Sequence, residues 1–239
     1  LATDIFLPGV PEITAELGSG EELMITSFLL GFALAQLILG PVSDRVGRKI
    51  PLSAGMIVFA LGAAWCAVAD TMPELIIARI LQAVGACTGP MLARAIVRDL
   101  YEGTRAAQVL STLMLIMALA PILGPLMGGF LVVAGGWRWT FWAIAAVALI
   151  IFGLILFLPE SLPPAKRDSG SILSAFVNYP VLFKNGPFMR YVLCVCFYYI
   201  SIYAFITNSS TVYITHFGVD PRYYGLLFGM NMIGVMSLT

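Results

Sequence analysis

Charge is scarce in this chain. Asp, Glu, Lys and Arg make up 11% of its 239 residues, against roughly 25% in a soluble domain. With 60% hydrophobic residues and a mean hydropathy of +0.95, that scarcity excludes an ordinary water-soluble globule and points to a membrane protein. Histidine and cysteine are scarce too, at one and four residues. The lone His216 has no partners for a metal site. Cys66, Cys87, Cys194 and Cys196 all fall in apolar stretches. The Cys-x-Cys pair would throw its sulfurs about 200° apart on a helix, the wrong geometry for a zinc clamp. All four read as small packing residues. A Gly-rich phosphate loop and a nucleophile–base–acid set are missing as well. No enzyme, metal, organic cofactor or nucleic-acid partner is therefore expected. Asn208-Ser209-Ser210 fits a glycosylation sequon, but it lies at a helix end and is read as chance.

Long apolar runs are what the chain does have. They cover 23–42, 51–69, 74–97, 107–134, 139–158, 188–210 and 223–239, each near the ~20 residues that cross a ~30 Å hydrocarbon core as helix. Residues 1–10 resemble the tail of an earlier span. The expectation is an all-α polytopic bundle, read as a piece that begins inside a first span and ends inside an eighth. Residues 1–158 would form a six-helix bundle, 159–187 a cytoplasmic linker, and 188–239 the start of a second bundle. The linker is rich in breakers (Pro159, Pro163, Pro164, Gly170). Its second part, Ile172 to Phe183, has the pattern of a short amphipathic surface helix. Such a linker would let two bundles rock; an ordinary long loop is the other reading.

The net charge is zero, 13 against 13, yet its placement is lopsided. Arg45, Arg48, Lys49, Arg94, Arg98, Arg105, Lys166, Arg167, Lys184 and Arg190 cluster around alternate connections, while the other side holds only Arg138 and Arg222. By the positive-inside rule, 43–50, 98–106 and 159–187 face the cytoplasm. The first of these is a polar and cationic knot, Gly40-Pro41-Val42-Ser43-Asp44-Arg45-Val46-Gly47-Arg48-Lys49. A turn this short makes its two flanking helices lie side by side.

Ionised residues inside a span cost at least about 2.5–3.5 kcal/mol, so those found there usually have a partner and a role. Asp4, followed by Pro8 and Pro11, lies where the first span kinks or ends. Arg79 lies one to two turns into its span from the outside, with Gln82 one turn on. At similar depth, Asp4 and Arg79 could face one central cavity as a pair, the carboxylate taking and releasing protons. Alternatively, Asp4 borders the outer water and Arg79 snorkels. Gln36 is either a cavity residue or an interhelical hydrogen bond. Pro121 and Pro125 would bend their span, and Gly124 and Gly128 form a G-x-x-x-G face that admits a close neighbour.

These residues together resemble the major facilitator superfamily, specifically its proton-coupled drug antiporters of the bicyclomycin and chloramphenicol resistance type. Gly40 to Lys49 is similar to the superfamily's loop signature, and Arg79-Ile-Leu-Gln82-Ala-Val-Gly85 to its fourth-helix signature, with Ala83 in place of the common Gly. Ala120 to Gly129, with Gly124-Pro125-x-x-Gly128-Gly129, is similar to the antiporter signature of the fifth helix. Asp4 to Pro11, Leu158-Pro159-Glu160-Ser161 and Tyr224 to Asn231 also match the drug exporters. The resemblance implies alternating access in a bacterial inner membrane, with protons as coupling ion and Asp4 and Arg79 as the coupling pair. It implies a cytoplasmic latch built from Gly40, Asp44, Arg45, Gly47, Arg48 and Lys49. There Arg48 reaches an acid, for which Asp99 is the candidate, and Asp44 meets a helix of the second half. A small hydrophobic drug-like substrate would occupy a cavity with Gln36, Gln82, Tyr199, Tyr203 and Asn208 as contacts, and Tyr198 and Phe205 beside them. The partners are then the lipid bilayer and the drug, and the protein would work as a monomer. A symporter or facilitator of a small metabolite on the same scaffold is the rival reading.

Overall fold

The computed structural model describes residues 2–167, 180 and 183–237, and the described residues are almost wholly helical. A 3-10 turn, Leu7–Gly9, leads into α1 (Val10–Leu17). Then follow α2 (Glu21–Val46), α3 (Lys49–Val68), α4 (Met72–Ala86), α5 (Thr88–Leu100), α6 (Gly103–Gly135) and α7 (Trp137–Leu156). After a 3-10 turn at Pro164–Lys166 come α8 (Gly186–Ser210), continued as a π-helical stretch Thr211–His216, and α9 (Pro221–Ser237). Six of these segments are long and apolar enough to cross a membrane: α2, α3, α4–α5 together, α6, α7 and α8 with its π-helical extension. The last run forms α9, with 17 residues.

Three boundaries differ from those expected. Helix is not over at residue 10: α1 starts there and runs to Leu17, because Pro11 sits in its first turn, where no backbone donor is needed. The fourth span is broken at Cys87. Pro90 has no N–H for the carbonyl of Ala86, and its ring crowds that carbonyl. Thr88 Oγ1 donates to Gly85 O at 2.7 Å and Cys87 Sγ to Val84 O at 3.2 Å, so side chains cover adjacent carbonyls at the break. The knot at 40–49 is mostly helix. Gly40 to Val46 form the last turns of α2, and only Gly47 and Arg48 make the turn, with Gly47 at φ 106°, a conformation that favours glycine. Ile172 to Phe183 lies almost entirely outside the described residues. Of the cysteines, Cys66 and Cys87 are buried, but Cys194 and Cys196 are exposed on α8 rather than packed.

The core explains how the helices are held. Phe6, Ile13, Met24, Leu75 and Phe141, all fully buried, join the first segment to α2, α4 and α7, while Tyr224 and Phe228 bring in α9. Phe6 stacks on Phe141 at 5.7 Å between centroids, and Trp137 meets Phe141 edge-on at 5.9 Å. Elsewhere small residues set the spacing. Gly62 lies against the backbone of Gln82, and Gly85 against that of Phe59, so α3 and α4 touch along their axes.

Candidate functional site

A cavity of about 880 Å³ lies between α5, α6 and α8, with Thr3 and Asp4 also in its lining. That volume is at the upper end of the range for small-molecule sites, roughly 300–1,000 Å³. Its wall is mostly aliphatic, from Leu113, Met117 and Leu123 of α6 to Ile202 and Ile206 of α8, with an aromatic strip of Tyr198, Tyr199 and Tyr203. Along this strip the rings follow one another at 5.6 and 6.4 Å. Among the described lining residues, Asp4 is the one acid and Arg94 the one base.

Asp4 is only 6% exposed. It sits on the α6 face that Gly124 leaves open: a Cβ on Gly124 would lie 2.8 Å from the Asp4 Cβ, and one on Gly128 would collide with the Ile5 carbonyl. The glycine face therefore takes the chain at Asp4–Ile5. Thr3 Oγ1 donates to Asp4 Oδ1 at 3.2 Å. Behind it Arg79 is fully buried. Its Nη1 donates to Gln82 Oε1 at 2.6 Å and to Ala2 O at 3.3 Å. The guanidinium lies over the rings of Phe6 and Phe28, at 4.5 and 4.2 Å to their centroids. Aromatic faces attract a desolvated cation, which is how this charge is held in an apolar bundle. Nε and Nη2 of Arg79 have no hydrogen-bond acceptor among the described residues. Asp4 is within electrostatic reach of Arg79, and also of Tyr203 and Tyr224.

At the face read as cytoplasmic, Arg48 is the centre of a polar cluster. Its Nε donates to Asp99 Oδ2 at 2.9 Å, and its Nη1 to Asp44 Oδ1 at 2.6 Å and Ser43 Oγ at 2.8 Å. Burial disfavours the charged guanidinium, but the bonds to Asp99 and Asp44 and their charges outweigh it, so its pKa is raised. Glu160, just beyond α7, caps the N-terminus of α3. Its Oε1 accepts from the backbone N–H of Arg48 at 2.8 Å and Leu162 at 3.1 Å, and its Oε2 from Lys49 N–H at 3.2 Å. Burial raises the Glu160 carboxyl, yet these three backbone bonds and the charge of Arg167 leave it net below the ordinary carboxylate value. Lys49 Nζ donates to Leu156 O at 2.8 Å, at the C-terminal end of α7, where a cation is favoured. The turn between α2 and α3, the end of α5 and the exit of α7 are thus tied at one point.

The opposite face has its own tie. Glu12 accepts from the backbone N–H of Trp137 at 3.0 Å, capping α7. Glu16 accepts from Trp137 Nε1 at 2.8 Å and from Arg138 Nη1 at 2.7 Å. The Trp137 bond first, then Arg138, holds the Glu16 carboxyl below its usual range. Here too α6 and α9 meet closely, Gly129 against the Pro221 carbonyl and Gly225 against the backbone of Leu126.

The structure distributes the expected site residues unevenly. Tyr199, Tyr203, Tyr198 and Pro121 line the cavity beside Asp4, while Arg79 and Gln82 lie behind its wall. Two expected cavity contacts are elsewhere. Gln36 is half-buried on α2 and is not among the lining residues, and Asn208 Nδ2 turns back onto the Ala204 carbonyl of its own helix at 3.0 Å. Phe205 stacks on Phe228 at 5.9 Å rather than facing the cavity. Glu160 enters the sequence reading only within the Leu158-Pro159-Glu160-Ser161 match, without a capping role, and Glu12 and Glu16 have no role there; the local signal is an acid just past an apolar run or just after a proline. Ser209 and Tyr224, whose hydroxyls are 2.7 Å apart and buried, carried none.

The bundle and its cavity define a membrane transporter architecture, and comparison with known proteins agrees. Residues 1–239 match the family model of the Major Facilitator Superfamily. The chain belongs to that superfamily, a family of transporters rather than enzymes, and is a multi-pass membrane protein. It is 35% identical over 243 residues to an uncharacterized MFS-type transporter, YdgK, of Bacillus subtilis, covering 99% of this chain and 60% of that one. It is 31% identical over 234 residues to a bicyclomycin resistance protein homolog of Haemophilus influenzae, covering 96% and 59%. The multidrug resistance protein MdtL of Escherichia coli is 33% identical over 184 residues, 72% of this chain and 47% of that one. The chain thus spans about 60% or less of the length of these relatives. Among solved structures it is similar in fold to the human organic anion transporter MFSD10, with a TM-score of 0.63, 19% identity, and coverage of 95% and 60%. The partially occluded inward-open xylose transporter XylE of E. coli has a TM-score of 0.62, 18% identity, and coverage of 80% and 54%.

Proposed function

We propose that this chain is the first bundle, and the start of the second, of a proton-driven exporter of apolar drug-like molecules in a bacterial inner membrane. Residues 159–187 join the two bundles. The supporting relatives are those named for bicyclomycin and multidrug resistance. The observation that carries the reading is a nearly buried acid, Asp4, in the lining of a large apolar cavity and within electrostatic reach of a fully buried arginine. Because Asp4 lies within that reach of the Arg79 guanidinium, gain or loss of its charge is felt by the bundle. The two guanidinium donors without acceptors are those an ionised Asp4 would engage.

In the cycle, protonated Asp4 releases Arg79 and the bundle faces inward. Drug enters along the α6–α8 wall, Asp4 loses its proton to the cytoplasm, and the renewed Asp4–Arg79 attraction favours the outward form. Arg48, Asp44, Asp99 and Glu160 then close the cytoplasmic side. No cofactor beyond the proton is needed, and the protein acts as a monomer. Drug resistance of cells expressing the full-length protein tests this. Asp4→Asn should return resistance to that of cells lacking the protein while the amount in the membrane is unchanged. Full resistance in the Asn variant would sink the reading.

A further inference from the structure

Arg94 is a charged residue of the cavity that the coupling scheme does not use. It belongs to α5, lies about three helical turns from Gln82 toward the Arg48 cluster, and is exposed in the cavity wall. Arg48, Arg79 and Arg138 all hydrogen-bond to protein groups. Arg94 has no hydrogen bond, ion pair or ring contact among the described residues. An arginine that tied helices together would be bonded, as those three are. An arginine held in water alone would not lie in a wall of Leu, Met, Ile and Tyr side chains.

We infer that Arg94 is a substrate-recognition residue, and that the cavity selects small aromatic molecules carrying an anionic or acceptor-rich group over aromatic cations. This rests on the reading of the cavity as a drug site. The planar guanidinium presents five donors in a fixed fork suited to carboxylate, sulfonate or nitro oxygens. Across the cavity, Tyr198, Tyr199 and Tyr203 supply ring faces for the aromatic body. With water displaced, a charge-assisted hydrogen bond gains strength from the apolar walls. Arg94 is the one base among the described lining residues, so such a molecule turns its acceptor group toward Arg94 and lays its aromatic body on the tyrosines. Arg98, one turn nearer the surface, and Arg105 are also exposed. They add positive potential on the approach; of the two acids between them, Asp99 is bonded to Arg48 and Glu102 only partly offsets it.

The test uses two probes of one ring system and opposite charge, naphthalenesulfonate and naphthylmethylammonium. Binding to the full-length protein in lipid nanodiscs is measured by calorimetry at equal pH on both sides, with empty nanodiscs subtracted. The wild type should bind the sulfonate more tightly. Arg94→Gln should weaken the sulfonate at least about tenfold and leave the ammonium unchanged or tighter, while Arg94→Lys should keep the preference for the anion. An unchanged sulfonate-to-ammonium ratio in Arg94→Gln, equal loss of both, or a wild-type preference for the cation would overturn the inference. Because no gradient is imposed, this result is independent of proton coupling. Full resistance in Asp4→Asn would defeat the exporter reading without touching the charge preference.

Discussion

Arg79 shows how a single residue can be both structural and mechanistic. Its charge is fully buried, yet among the described residues only Gln82 and the Ala2 carbonyl hydrogen-bond it, with aromatic rings around it. A planar, weakly hydrated cation suits that setting better than an ammonium. Arg79→Lys should therefore fold less stably and abolish drug export, although the charge is kept. Thermal melting in detergent together with a resistance assay checks both, and a Lys variant with wild-type export would show that planarity is irrelevant. Gln82→Leu removes the nearer of the two acceptors of Nη1, leaves one of its buried N–H groups unpaired, and should lower stability by about 1–3 kcal/mol. Wild-type melting of that variant would mean that the rings alone hold the cation.

At the scale of elements, the molecule depends on helix ends capped by acids from other helices. Glu160 caps α3, and Glu12 caps α7. Since the Glu160 carboxyl lies net below its ordinary value of 4.5, its contribution is present above that value and is lost as pH falls through its lower folded-state value. Glu160→Gln should thus melt below wild type at neutral pH, and the gap should close under acid conditions; a gap that widened in acid would have the wrong sign. Glycine faces act at the same scale. Gly128→Val would drive a side chain into the Ile5 carbonyl, push the Asp4 segment off α6, and should abolish export with reduced stability. Export at wild-type rate with normal melting would show that this approach is not needed.

This scale also shows what could be read from sequence. The long apolar runs fixed the spans, and the Arg48–Asp99 pair was reached through family resemblance. The break at Cys87 was legible in Pro90 but hidden by unbroken hydropathy. Glu160 reaches Arg48 across 112 positions of sequence, a distance over which no local spacing rule operates. Asn208 is not among the lining residues, and its amide nitrogen bonds its own backbone, as an amide near a helix end can.

For the whole molecule, the two ties and the cavity have distinct places. α1, α7 and the α3–α4 connection are pinned at one face by Glu16 and Arg138. The α2–α3 turn, α5 and the α7 exit are pinned at the other by Arg48 and Glu160. In the proposed cycle the first bundle would move as one body between them, with the close contact of α6 and α9 as the proposed pivot. Asp44, whose side chain is 52% exposed, has room for a partner from the second bundle. Asp44→Asn should slow turnover more than it weakens drug binding, and normal cycling with collapsed drug affinity would contradict a gating role. The central claim is that proton entry drives drug exit through Asp4. Everted membrane vesicles containing the full-length protein, given an imposed pH gradient with an acidic lumen, test it most directly. The account predicts drug uptake that rises with the gradient, collapses when a protonophore is added, and is absent in Asp4→Asn. Uptake of the same size without a gradient, or undiminished in Asp4→Asn, would contradict it.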